Sequence, residues 1–108
     1  MKIKPGVSFI APHPAVLFAL EIVNAWWWKR FGRHAVVTSG RDGEHSEASL
    51  HYGTREDVRE RAFDVRTRDL NLVEQKNAAA ALAELLGPTF DVVLEDDHLH
   101  IEFDPEIA

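Results

Sequence analysis

The chain has 108 residues, of which 45% are hydrophobic, so it is long enough for one small domain with a modest core. Eighteen acidic residues against twelve basic ones give a formal net charge of -6, which argues against nucleic-acid binding, because phosphate contacts need clustered Lys and Arg. Cysteine is absent, which excludes disulfides, thiolate metal ligands and cysteine nucleophiles, so any site must be built from nitrogen and oxygen donors.

The amino-terminal third predicts an irregular lead-in followed by a helix. Residues 1–14 hold three prolines, which disfavour regular structure and indicate a lead-in packed on the domain. Apolar residues at helical spacing predict a first helix over 15–31, and Gly32 follows as its stop signal.

Nothing in the sequence predicts membrane insertion. The longest apolar run extends from Ala15 to Trp28, is interrupted by Glu21 and Asn24, and is too short to span a bilayer. The amino terminus lacks the apolar segment and cleavage site of a secretory signal, so we expect synthesis in the cytoplasm without a signal peptide.

The middle of the chain predicts two strands separated by a long loop. Residues 34–38 form a short apolar run typical of a strand, and residues 39–49 have the Gly, Ser and Asp content of a loop. Residues 61–67 alternate, which predicts a strand with Asp64 on one face and Phe63 on the other. A carboxylate on such a strand needs a partner, and a cation would provide one.

The carboxyl-terminal third predicts a helix and a hairpin. An alanine- and leucine-rich helix is expected over 71–86, closed by Gly87, followed by strands at 90–95 and 98–103. The order of elements predicts a single α+β domain over residues 1–108, with two principal helices and a mainly antiparallel sheet.

The last two strands place ionisable side chains on one face. If residues 96–97 form a two-residue hairpin loop, Glu95 and His98 face each other across the strands. Because side chains alternate along a strand, His100 and Glu102 share the face of His98. Taken alone, such a face is most simply the solvated side of a half-buried strand.

Three short motifs in this order resemble the zinc metallopeptidase family that includes D-Ala-D-Ala carboxypeptidases, phage L-alanyl-D-glutamate endopeptidases and the Hedgehog signalling domain. The resemblance covers residues 35–103, and its motifs are specific jointly although each alone is weak. They read Ser49-Leu50-His51, Arg61-Ala62-Phe63-Asp64 and His98-Leu99-His100. The resemblance implies a Hedgehog/DD-peptidase-like fold and a bound zinc ion.

The resemblance also implies a role for each matched residue. The zinc ligands would be His51, Asp64 and His100. Glu95 would be the general base that takes a proton from the zinc-bound water, and His98 would hydrogen-bond the water or the tetrahedral intermediate.

Arg41 and Glu102 are further candidates near this site. The guanidinium of Arg41 suits either the developing negative charge on the scissile carbonyl or a substrate carboxylate. Glu102 shares the face of His100 and is expected to orient a metal ligand without binding the metal itself.

The spacing of the second ligand departs from the family pattern. Twelve residues separate His51 from Asp64, more than the family usually has. Asp57 lies closer to the usual spacing, but the residues around it are charged and predict a solvent-exposed segment and not a strand. Asp64 is therefore the preferred ligand.

The resemblance implies hydrolysis of peptide bonds in the stem peptides of bacterial peptidoglycan, of the D,D-carboxypeptidase or L-Ala-D-Glu endopeptidase type. By analogy with phage or prophage endolysins, the protein would act at the cell wall after release. Two alternatives remain: a zinc-containing recognition module without peptidase activity, and an iron oxygenase in which His100-Ile101-Glu102 supplies two of the metal ligands.

Overall fold

The computed structural model describes residues 1–6, 12–39 and 60–105. These residues form two helices and a five-stranded sheet, which confirms the predicted α+β class. In chain order the elements are β1 (Lys2–Ile3), α1 (Pro14–Phe31), β2 (Val36–Ser39), β3 (Ala62–Arg66), α2 (Leu72–Leu86), β4 (Phe90–Leu94) and β5 (His98–Phe103).

Local signals at the helix ends explain where the helices begin and stop. In α1 the His13 side chain caps the first turn, and Gly32 ends the helix with a left-handed backbone, φ 70°, that favours glycine. In α2 the Asn71 side chain accepts a hydrogen bond from the Glu74 backbone and the Glu74 side chain accepts one from Asn71, a reciprocal capping box. Both predicted helices are therefore confirmed to within one residue at their amino-terminal ends.

The sheet is mainly antiparallel, as predicted, with the strand order β1-β2-β3-β5-β4. The exception is β1, which pairs parallel to β2 at the edge of the sheet. The proline-rich lead-in gave no signal for β1, since two residues are too few to show an alternation. The central pair is β3 with β5, in which Asp64 lies opposite His100 and Arg66 opposite His98.

One face of the sheet packs against both helices and forms the core. Its strand residues belong to the same buried cluster as the inward-facing residues of α1 and α2. From the sheet this cluster takes Val37, Phe63, Val65, Leu99 and Ile101. Side chains alternate along each strand, so Asp64, His98, His100 and Glu102 lie on the opposite face, where no described helix packs.

The three consecutive tryptophans of α1 divide between core and surface, as helical geometry predicts. Trp27 is 2% exposed and belongs to the core cluster, whereas Trp28 is 54% exposed and Trp26 is half-buried. Trp27 also makes edge-on contacts with the rings of Trp26 and Phe31.

Trp27→Ala should therefore lower the free energy of unfolding by about 3–5 kcal/mol, because it removes a large buried ring and leaves a cavity. Trp28→Ala is the matched control on the next position and should cost less than about 1 kcal/mol. Urea denaturation followed by circular dichroism measures both values, and equal losses would contradict this account of the core.

Candidate functional site

The centre of the candidate site is a direct contact between Asp64 of β3 and His100 of β5. The antiparallel register places the two residues opposite each other, and the His100 Nδ1 atom lies 2.9 Å from Asp64 Oδ1. Asp64 is only 9% exposed, so its carboxylate needs the cation or donor that the sequence predicted. Two of the three proposed zinc ligands are therefore adjacent.

Glu102 holds the other side of the same histidine. Its Oε1 atom lies 2.7 Å from His100 Nε2, two residues along the same strand. A ligand histidine in proteins usually donates its second ring N–H to a carboxylate, which fixes the ring orientation. Glu102 therefore contacts a proposed metal ligand, as a residue that orients such a ligand must.

These two carboxylates change the acidity of the imidazole. Hydrogen bonding to Asp64, and then to Glu102, raises the pKa of His100 to about 10, and burial opposes the shift only in part. The charged ring then donates from both nitrogens. A metal at this position would have to replace the proton that His100 shares with Asp64.

His98 lies beside this pair and is held by a residue of the hairpin turn. Its Nδ1 atom is 2.7 Å from Asp97 Oδ1, and its Nε2 atom is 3.8 Å from Asp64 Oδ2. Hydrogen bonding from His98 is the main cause of a lowered pKa at Asp97. Asp97 thus orients the ring so that Nε2 faces the buried carboxylate of Asp64.

Glu95 occupies the position that the hairpin prediction gave it. Its backbone N–H donates to the His98 carbonyl at 2.9 Å, and residues 96–97 form the turn between β4 and β5. The register places the Glu95 side chain on the sheet face of His98 and His100. The side chain is exposed and makes no hydrogen bond or ion pair within the described residues.

The remaining predicted site residues, His51 and Arg41, lie outside the described residues, as does the alternative ligand Asp57. Among residues 1–6, 12–39 and 60–105, no group of three His, Asp or Glu side chains is placed to hold a metal ion by itself. The described part of the site supplies two adjacent candidate ligands, and the third is expected from the segment that contains His51.

Sequence reasoning missed Asp97, which it treated only as a turn residue. The two-residue alternation of a strand predicts which face of β5 each of its side chains occupies. Asp97 lies in the turn before β5, where the direction of the side chain depends on the turn geometry instead. An acidic residue directly before a histidine was the available signal, and it is a weak one.

Comparison of the chain with protein-family models, with curated proteins and with solved structures found no match. The zinc peptidase resemblance therefore depends on the three motifs and on the geometry above. Within the described residues, neither helix combines the length and apolar character needed to cross a membrane.

The pKa of His100 predicts how the stability of the metal-free protein depends on pH. The folded-state pKa of about 10 lies above the ordinary value of 6.5, so the stabilisation is complete below pH 6.5 and is lost as the pH rises toward 10. Urea denaturation in EDTA should give a free energy of unfolding that falls between pH 6.5 and pH 9. His100→Gln should flatten this dependence, and an equally steep fall in that variant would contradict it.

Proposed function

We propose that the protein is a zinc metallopeptidase that hydrolyses peptide bonds in the stem peptides of bacterial peptidoglycan. The observation that carries the proposal is the contact between Asp64 and His100, two residues that lie far apart in sequence and match two of the family's motifs. Glu95 and His98, the proposed catalytic residues, lie on the same sheet face at the hairpin end.

The donor set fits zinc. Two ligands of one tetrahedral zinc ion lie ~3.4 Å apart, close to the 2.9 Å between His100 Nδ1 and Asp64 Oδ1. Glu102 at His100 Nε2 provides the outer carboxylate that ligand histidines commonly have. His51 would complete a set of three protein ligands, as catalytic zinc sites use.

When bound, zinc lowers the pKa of its water toward ~7 and polarises a carbonyl group. Glu95 would accept the proton of the attacking water and return it to the departing amine. His98, oriented by Asp97, would donate from Nε2 to the negative oxygen that develops on the scissile carbonyl. Arg41 would assist either this oxygen or a substrate carboxylate.

A zinc-containing recognition module without peptidase activity is the second candidate. The observation that favours it is the exposed Glu95 side chain, which no described residue holds in place. A general base that must act on a positioned water is usually within hydrogen-bond reach of its target in the substrate complex.

Metal analysis and peptide hydrolysis distinguish the candidates. The purified protein should contain one equivalent of zinc and should release new amino groups from peptidoglycan in a reaction that EDTA stops and zinc restores. Mass spectrometry of the products then separates loss of a terminal D-alanine from cleavage after L-alanine. Tight zinc without hydrolysis would favour the recognition module, and stoichiometric iron would favour the oxygenase.

A further inference from the structure

A small pocket beside the candidate site collects positive charge. The described residues that line it come from four separate segments: the residue after β1, the strand β2, the last residue of β3 with the segment after it, and the β4–β5 turn. They are Lys4, Thr38, Arg66, Arg68 and Asp97. These described residues include three basic side chains and one acidic side chain, whereas acidic residues outnumber basic ones in the whole chain, whose net charge is -6.

One described acid, Asp97, offsets the three cations in part, since the charge of Arg68 contributes to the lowered pKa of the Asp97 carboxyl group. Neither Lys4, Arg66 nor Arg68 forms an ion pair within residues 1–6, 12–39 and 60–105. Asp97, the acid in the pocket, already accepts a hydrogen bond from His98. Gathering like charges costs free energy, and a bound anion would offset that cost.

The size and lining of the pocket fit a small anionic group. Its volume is about 90 Å³, a few times the ~30 Å³ that one water molecule takes in the liquid. Guanidinium groups bind planar carboxylates through paired N–H donors, and the Thr38 hydroxyl adds a neutral donor. A carboxylate therefore matches both the space and the donors.

The pocket adjoins His98, one of the proposed catalytic residues. Arg66 lies opposite His98 in the register of β3 and β5. Asp97 lines the pocket and also contacts the His98 ring through its carboxylate. The Asp97 carbonyl also accepts a hydrogen bond from the Thr67 backbone, which fixes the turn against the end of β3. A group bound in the pocket would thus lie next to His98.

We propose that Lys4, Thr38, Arg66 and Arg68 form a subsite that binds a carboxylate of the peptide substrate next to the scissile bond. The subsite would select peptides with a free carboxylate near the cleaved bond and would hold them in register with His98. As a substrate subsite it depends on the proposed peptidase function, but its ability to bind a carboxylate does not.

A binding experiment with a matched pair of probes tests the subsite directly. N-acetyl-D-alanine and its amide differ only in the carboxylate, and titration into the full chain can be followed by calorimetry at low salt, since screening weakens exposed charges. EDTA in the buffer keeps the probe from binding to zinc. The acid should bind roughly tenfold or more tightly than the amide, because only the acid makes charge-assisted hydrogen bonds.

Substitutions of the exposed cations locate the binding. Arg68→Gln and Lys4→Gln should each weaken binding of the acid by several-fold or more, whereas Lys76→Gln, an exposed cation on α2, should leave it unchanged. Thermal unfolding of each variant checks that the fold is retained. Equal binding of acid and amide would overturn the proposal, as would equal loss in all three variants or binding of inorganic phosphate without binding of the acid.

A kinetic measurement separates the subsite from the peptidase proposal. In zinc-loaded protein, Arg68→Gln should raise KM for a peptide with a free carboxylate and leave KM for the corresponding amide unchanged. Carboxylate binding without zinc or hydrolysis would mean that the peptidase proposal fails while the subsite stands. Hydrolysis with the same KM in wild type and Arg68→Gln would mean that the subsite proposal fails.

Discussion

Glu95→Gln should lower kcat for peptidoglycan hydrolysis by roughly 10²- to 10⁴-fold, the range that a positioned general base contributes. The amide has nearly the shape of the carboxylate but cannot accept the proton of the attacking water. Glu95 is exposed and follows the last residue of β4, so the substitution should leave both the fold and the zinc content unchanged. Release of amino groups from peptidoglycan, with zinc measured in the same samples, tests this prediction.

Asp96→Asn is the matched control for Glu95→Gln. Asp96 is the next residue in the same turn, is also exposed, and has no role in the proposed chemistry. Its activity should equal that of the wild type. Hydrolysis that is unchanged by Glu95→Gln, or lowered equally by both substitutions, would remove Glu95 from the mechanism. The absence of activity in every sample, with zinc retained, would favour the recognition module.

Substitutions around His100 should lower zinc affinity in a graded order. Glu102→Gln replaces the carboxylate that accepts from the proposed ligand His100 with a neutral, weaker acceptor, and should weaken binding by roughly 10- to 100-fold. Asp64→Asn and His100→Gln each remove a proposed ligand, so their affinity should fall by more than this. Competition with a chromogenic zinc chelator at pH 7.5 measures the three affinities.

Asp91→Asn controls for the loss of negative charge on this face of the sheet. Asp91 is exposed on β4 and lies opposite Glu102 in the register. The substitution therefore removes one negative charge from the same face, at a position with no proposed contact to the metal. Its zinc affinity should change little. If Asp91→Asn weakened zinc binding as much as Asp64→Asn, the effect would be one of general electrostatics and not of coordination.

The fold class and the composition of the polar face could be predicted because both depend on periodicity. Alternation in residues 61–67 gave Asp64 the face opposite Phe63, and alternation in residues 98–103 gave His98 and His100 one face. The two-residue turn at 96–97 fixed the hairpin register. Each of these patterns involves only neighbouring residues, so it can be recognised in the sequence without knowledge of the fold.

What the sequence could not supply was the pairing between distant segments. Nothing local indicates that β3 lies between β2 and β5, and this order is what places Asp64 against His100 and Arg66 against His98. The resemblance supplied the first pair as an expectation, but it said nothing of the second. The cationic pocket was missed for the same reason, since its residues come from four segments that only the sheet brings together.

Side chains in turns and at strand ends were also beyond prediction. Asp97 lies in the turn, where no two-residue period applies, yet its carboxylate holds His98. The register between β2 and β3 shifts between Val37 and Ser39, an irregularity that a simple alternation does not show. The first feature depends on the turn geometry and the second on the pairing of β2 with β3, and neither follows from the two-residue period of a strand.

The central claim is that His51, Asp64 and His100 bind one zinc ion, and anomalous diffraction from crystals of the zinc-loaded protein tests it most directly. Data collected on both sides of the zinc absorption edge should show one strong peak in contact with all three side chains, with Glu102 hydrogen-bonded to His100. A zinc peak elsewhere on the molecule, or a peak at Asp64 and His100 from which His51 is absent, would contradict the account.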